Sequence, residues 1–156
     1  ISGYAVVWGV QSQILYDATN NRMFKEIINQ GAITPELLMR SDVRGLLEHN
    51  RERLLARYRK GVGTLSLRID GRGLLYSFLS PNTTDGNFAL EMVNRGDITG
   101  SSFAFRADDK DCTWTKDSVG MWTRKVNKIS GLYDVSIVSD PAYNQTSVTV
   151  EHIPYR

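Results

Sequence analysis

The stretch Gly96-Asp97-Ile98-Thr99-Gly100-Ser101-Ser102-Phe103-Ala104-Phe105-Arg106 decides how this chain is read. Its first glycine follows an apolar-periodic segment (Phe88, Leu90, Met92, Val93), the mark of a helix end. Gly100 then turns the chain into an alternating strand, whose side chains divide by parity. Ser101, Phe103 and Phe105 share one face; Ser102, Ala104 and Arg106 share the other. Burying each phenylalanine is worth roughly 1.5–3 kcal/mol, so theirs is the core face. Ser102 then points away from the core, beside an alanine too small to block a ligand, where a nucleophile could work. A strand with an ordinary polar outer face accounts for the same residues, and the choice rests on the rest of the chain.

The 156 residues are most simply one domain, long enough to bury about 70% of the unfolded chain's surface. A hydrophobic fraction of 41% and a charged fraction of 23% are ordinary for a soluble globular protein. Thirteen Gly, seven Tyr and many Val, Ile and Thr lean the class toward β. Lys and Arg number 19 against 17 Asp and Glu, a balance that by itself implies no nucleic-acid partner. The single cysteine, Cys112, cannot form an internal disulfide, which fits a reducing compartment. No apolar run reaches about 18 residues and no secretion signal is visible. A start at Ile1 rather than Met points to an excised domain or a processed product.

In chain order, residues 1–8 alternate as a strand, 11–22 form a polar loop, and 23–28 form a short strand. Thr34-Pro35-Glu36 starts a short helix that runs to about Arg40: Thr34 caps it, Pro35 takes the first helical position, and Glu36 faces the positive end. Residues 43–49 read as a buried strand ending at a histidine, and 54–58 as another strand. Segments 64–70 and 74–79 flank Gly71-Arg72-Gly73 as a hairpin. Residues 85–94 form a second helix capped by Thr84 or Asp85. After the Ser102 strand, 107–118 reads as an acidic, mobile loop. Residues 121–129 and 132–138 are the last long strands, and 148–153 adds a short edge strand. The expected fold is mainly β (α+β): a closed or partly open β-barrel of six to eight strands with two or more short peripheral helices.

A serine nucleophile needs a base and a group that orients the base. Of the two histidines, His49 ends an apolar strand that would fix an imidazole, whereas His152 lies near the terminus. A histidine satisfied at a core rim remains the alternative for His49. For the third group, Asp134 sits inside an apolar strand, where an acid is costly unless paired; a rim acid with a structural hydrogen bond is its alternative. Glu48 adjoins His49 but points to the opposite face by strand parity. Cys112 lies among Asp108, Asp109, Lys110 and Asp111, which disfavour a thiolate. The scattered aspartates have no His or Cys neighbours at ligand spacing, so neither metal nor cofactor is expected.

The strings GLLEHN (45–50), GTLSLRIDGRGLLYSF (63–78), GDITGSSFAF (96–105) and LYDVSIVSDPAY (132–143), with GYAVVWG (3–9) and FKEIINQGAI (24–33), carry a family likeness. In this order and spacing the chain resembles the prohead proteases of tailed phages, capsid-maturation serine endopeptidases with a fold like that of the herpesvirus assemblins. The resemblance covers about residues 1–143 of a single protease domain, 1–156, with 144–156 as a C-terminal extension. It implies His49 as general base, Ser102 as nucleophile and Asp134 as the strand carboxylate. At Asp134 this chain departs from the family's usual Glu, and Glu48-His49-Asn50 departs from the common Asn-His-Asp. It further implies cleavage of scaffold and major-capsid-protein segments, and of the chain itself, inside the assembling prohead in the host cytoplasm. A homo-oligomer is left open; no specific nucleic acid, membrane or cofactor is implied.

Two other readings compete. One is a non-catalytic barrel of the same lineage, serving as scaffold or interaction module. The other is a nucleic-acid-binding barrel that uses the basic run Arg51, Arg53, Arg57, Arg59 and Lys60 with Trp and Tyr.

Overall fold

The computed structural model describes residues 1–151; His152 and the end of the expected strand 148–153 lie outside them. The elements in chain order are β1 (Ser2–Val7), β2 (Leu15–Asp17), β3 (Arg22–Ile28), α1 (Pro35–Met39), β4 (Asp42–Leu47), β5 (Asn50–Arg59), β6 (Val62–Gly63), β7 (Leu65–Ile69) and β8 (Gly73–Phe78). There follow α2 (Thr84–Asn94), β9 (Gly100–Arg106), a 3₁₀ turn (Asp109–Asp111), β10 (Cys112–Lys116), β11 (Trp122–Val126) and β12 (Gly131–Val138).

The mainly β class with two short α-helices is as the sequence predicts, and each helix is built on its cap. Thr34 Oγ1 accepts from Leu37 N at 3.1 Å, with Pro35 opening the helix. In α2 the cap is Thr83, one residue before the expected pair; its Oγ1 accepts from Gly86 N at 3.0 Å. Gly96, at φ 84°, closes α2: its N–H reaches Val93 O at 3.1 Å and that of Asp97 reaches Met92 O at 3.0 Å. This is the left-handed stop that glycine adopts without a Cβ clash.

The barrel expectation is corrected. Among the described residues the strands form three open sheets: β1-β8-β7, β10-β11-β3-β2, and β6-β5-β4-β12-β9. The reason is local. Between β9 and β1 runs the segment 146–149, which contributes one isolated bridge, Ser2 to Thr149, in place of a ladder. Thr149 N donates to Ser2 O at 2.8 Å, while Ser101 N donates to Thr146 Oγ1 at 3.0 Å on the other side. Gly3 permits this approach, because a Cβ there would meet Ser147 O at 2.0 Å. A strap stands where a barrel would need another strand.

The strand count also exceeds the expected six to eight, because short strands sit inside segments that read as loops. β2 lies within the polar stretch 11–22, and β10 within 107–118. Thr113, Trp114 and Thr115 have side chains suited to a pleated surface. β10 pairs with β11 from Cys112–Val126 to Lys116–Trp122. Trp114 packs edge-on to Phe24, with ring centres 5.2 Å apart, and carries the Arg22 guanidinium 3.5 Å over its ring. Packing, not hydrophobic alternation, orders this segment.

The core gathers Val6, Ile28, Val43, Leu74, Tyr76, Val126, Leu132, Val135 and Ile137 from all three sheets. Phe103 joins it at 7% exposure, and Phe105 packs against it. The face of β9 that carries Ser102 is therefore outside the core.

Candidate active site

The site is assembled toward one edge of the five-stranded sheet, where β12 lies between β4 (parallel) and the edge strand β9 (antiparallel). In β9 the observed burial follows the expected parity. Ser101 is fully buried, whereas Ser102 and Ala104 are half-exposed. Ser101 Oγ donates to Ser147 O at 2.7 Å and so accepts from Tyr76 OH at 2.6 Å, which leaves it a structural tie between sheets.

Asp134 reaches the Ser102 face through a bulge. Leu132 pairs with Phe105 but Asp134 pairs with Ala104, so Tyr133 is an extra residue in β12. Without it, Leu132 and Asp134 would share a face, since strand side chains repeat every two residues. With it, Leu132, Val135 and Ile137 enter the core while Asp134 and Ser136 face outward. Ser136 then stands directly opposite Ser102.

His49 is held differently from the sequence expectation. It does not end a strand: Leu47 pairs with Asn50, and Glu48 and His49 form the two-residue turn between them. Both have φ of 55°, as the tight hairpin turns matched to strand twist require. Neither is glycine, so the turn carries a backbone cost of about 1–2 kcal/mol per residue. Hydrogen bonds offset it. Glu48 N donates to Ile137 O at 2.9 Å, Glu48 Oε1 accepts from Ser139 N at 2.6 Å, and His49 N donates to Ser136 Oγ at 3.2 Å. Strand parity therefore does not govern Glu48, which instead clamps the turn to the end of β12.

The three side chains singled out in the sequence meet. His49 Nε2 lies 2.9 Å from Ser102 Oγ, and His49 Nδ1 lies 2.8 Å from Asp134 Oδ1. The imidazole is about two-fifths exposed and the carboxylate largely covered. The hydrogen bond that His49 donates to Asp134 is the main force raising the His49 pKa above its usual value; burial opposes it, and the charges of Asp134 and Glu48 add to it.

Sequence reasoning missed Ser136. Its Oγ donates to Asp134 Oδ1 at 3.0 Å and lies 3.3 Å from His49 Nδ1, and the residue is 1% exposed. The signal was available: Asp134-Val135-Ser136 has the spacing that puts both polar side chains on one strand face.

Of the other candidates, Cys112 lies apart at the start of β10, whereas Arg51 of the basic run lines a cavity with Asp134. Burial pushes the Cys112 thiol up, with Arg124 opposing, so a thiolate is disfavoured. Within the basic run, Arg57 forks onto Asp42 through Nε at 2.9 Å and Nη2 at 2.6 Å. Among the described residues no group of three or more His, Cys, Asp or Glu could hold a metal ion, and no helix is long and apolar enough to cross a membrane.

A hydroxyl, an imidazole and a carboxylate in hydrogen-bonded series are the arrangement of the serine hydrolases. The chain matches the family model of the caudovirus prohead serine proteases over residues 1–154 and belongs to that family. No curated protein and no solved structure matches it.

Proposed function

We propose that this chain is a single-domain serine endopeptidase of prohead maturation, with Ser102 as nucleophile, His49 as general base and Asp134 as the carboxylate that orients the base. The observation that carries the reading is the unbroken series from Ser102 Oγ through the imidazole, at 2.9 Å, to Asp134 Oδ1, at 2.8 Å. With Nδ1–H donated to Asp134, the Nε2 lone pair faces the serine hydroxyl. As Ser102 Oγ attacks a peptide carbonyl, its proton passes to Nε2, and Asp134 stabilises the imidazolium. The imidazolium then protonates the leaving amine, and an acyl-enzyme remains on Ser102 Oγ. Water, deprotonated by His49, hydrolyses that ester and restores the serine.

Family membership supports scaffold and major-capsid-protein segments as substrates, self-cleavage among the reactions, and action within the assembling prohead in the host cytoplasm. No cofactor, specific nucleic acid or membrane enters this scheme.

The test is labelling by a fluorophosphonate, which reacts with activated serines. The intact protein should be labelled at Ser102, located by peptide mass spectrometry, and the label should vanish in Ser102→Ala and His49→Ala. Folded protein that takes up no label would instead favour a non-catalytic module of the same lineage.

A further inference from the structure

A cavity of about 280 Å³ adjoins the catalytic carboxylate, lined by Arg44, Leu46, Arg51, Tyr133 and Asp134. A surface arginine by itself is ordinary. Here two converge on one concavity, and neither Arg44 nor Arg51 has a hydrogen-bonded or ion-paired partner among the described residues. The neighbouring strand position shows the contrast. Arg57 stands opposite Arg44 in the register, and it forks onto Asp42 through Nε at 2.9 Å and Nη2 at 2.6 Å. On its other side Arg44 stands opposite Asp134, whose hydrogen bonds come from His49 and Ser136 and not from an arginine.

Two guanidinium groups that share a concavity repel each other until an anion lies between them. Their planar donors match a carboxylate in a two-point fork. The rest of the wall narrows the choice of anion. Leu46, 1% exposed, and the half-exposed Tyr133 ring offer an apolar floor to the methylenes of an acidic side chain. Asp134 in the same wall, with Glu52 next to Arg51 in sequence, opposes a continuous run of phosphates more than a single carboxylate.

The register places the cavity relative to Ser102. Arg44 lies level with Asp134 and Ala104, two residues from the Ser136–Ser102 row and two strands from β9. With strands about 4.8 Å apart and a rise of about 3.3 Å per residue, it is on the order of 10 Å from Ser102. A side chain bound there leaves the serine hydroxyl uncovered.

We propose that this cavity docks a carboxylate side chain from an acidic segment of the protein substrate, outside the residues at the cut. That the segment belongs to a substrate rests on Ser102 being the nucleophile; the carboxylate site rests on the two arginines.

The test is fluorescence anisotropy with the full chain and a fluorescein-labelled octapeptide of alternating Glu and Ala, beside its Gln-Ala counterpart. The Glu peptide should bind about tenfold more tightly, and the difference should shrink as salt is raised. Arg44→Ala and Arg51→Ala should each remove most of that difference. Arg51→Lys, which keeps the charge but not the fork, should retain part of it. Arg59→Ala, in the same basic run but outside the cavity wall, should leave it intact. Melting curves establish that each variant is folded. Equal binding of the two peptides, or an equal loss in Arg59→Ala and Arg51→Ala, would overturn the site and leave the proteolytic reading standing. Tighter binding of a single-stranded oligonucleotide, lost in the same variants, would make this a nucleic-acid surface and overturn it likewise. Arginine-dependent binding of the Glu peptide by a protein whose Ser102 takes no fluorophosphonate would overturn only the link to a substrate.

Discussion

His49 and Ser136 are joined twice: the His49 backbone N–H donates to Ser136 Oγ at 3.2 Å, and the same oxygen lies 3.3 Å from His49 Nδ1. A serine with 1% exposure thus holds both the turn and the ring that the turn presents. Ser136→Ala leaves the His49 N–H without this partner and removes one hydrogen bond from Asp134, at a cost of about 1–3 kcal/mol for a buried unsatisfied group. If the loss falls on the positioning of His49, kcat should drop about tenfold to a hundredfold while KM changes little. Steady-state kinetics beside a melting curve checks this. Lower thermal stability with kcat intact would make Ser136 a structural tie only.

Adjacent serines provide the sharpest contrast in β9. Ser102→Ala should abolish peptide cleavage and leave the melting temperature near that of the parent, since the residue sits outside the core. Ser101→Ala should do the reverse. It removes the hydroxyl that joins Tyr76 OH, at 2.6 Å, to Ser147 O, at 2.7 Å, and so should cost about 1–3 kcal/mol of stability while retaining cleavage. Loss of cleavage in folded Ser101→Ala, with activity kept in Ser102→Ala, would reverse the two roles.

Those serines show what the sequence makes legible. Phe103 and Phe105 pin the core face of β9 by alternation, and Thr34-Pro35-Glu36 and Gly96 carry the chemistry of helix ends. Asp134 stands out as an acid in an apolar strand. The Tyr133 bulge that aims Asp134 has no local signature, because an extra residue in an alternating run only shifts the parity after it. The His49 turn is equally hidden: Glu48-His49 lacks the Asn-Gly or Asp-Gly composition of two-residue hairpins, and only contacts from β12 and Ser139 make it affordable. β10 depends on Trp114 meeting Phe24 and Arg22, residues far away in sequence. The open sheets turn on the strap 146–149, whose hydrogen bonds to Ser2 and Ser101 no pattern announces.

The pH dependence of cleavage follows from the His49 environment. A general base must be neutral, and Asp134 favours the protonated ring, so the proton is retained to a pH above the usual 6.5. Activity should therefore fall as pH drops through a value above 6.5, and the acid limb of kcat/KM should sit higher than for an isolated histidine. Glu48→Gln removes a smaller contribution of the same sign and should move that limb down. A limb at or below the ordinary histidine value would contradict the coupling.

Asp134 stands where the sequence resemblance implies a Glu, one methylene longer. The direct 2.8 Å contact with His49 Nδ1 shows that the shorter arm reaches the ring without an intervening water. Asp134→Asn keeps the size but removes the charge and lets the amide stabilise the wrong imidazole tautomer. In serine proteases the same change lowers kcat by about 10⁴, and a loss of that order is expected here. Asp134→Glu adds a methylene beside a covered site, yet a cavity of about 280 Å³ lined by Arg44, Leu46, Arg51, Tyr133 and Asp134 gives the longer chain room to bow. Glu should therefore keep activity within roughly tenfold of the parent, the scale of a single misplaced methylene. The ordering parent, then Glu, then far below them Asn, is what an orienting carboxylate requires. Asn within tenfold of the parent, with stability reduced instead, would make Asp134 a structural acid at the edge of the site and leave His49 to be oriented by Ser136.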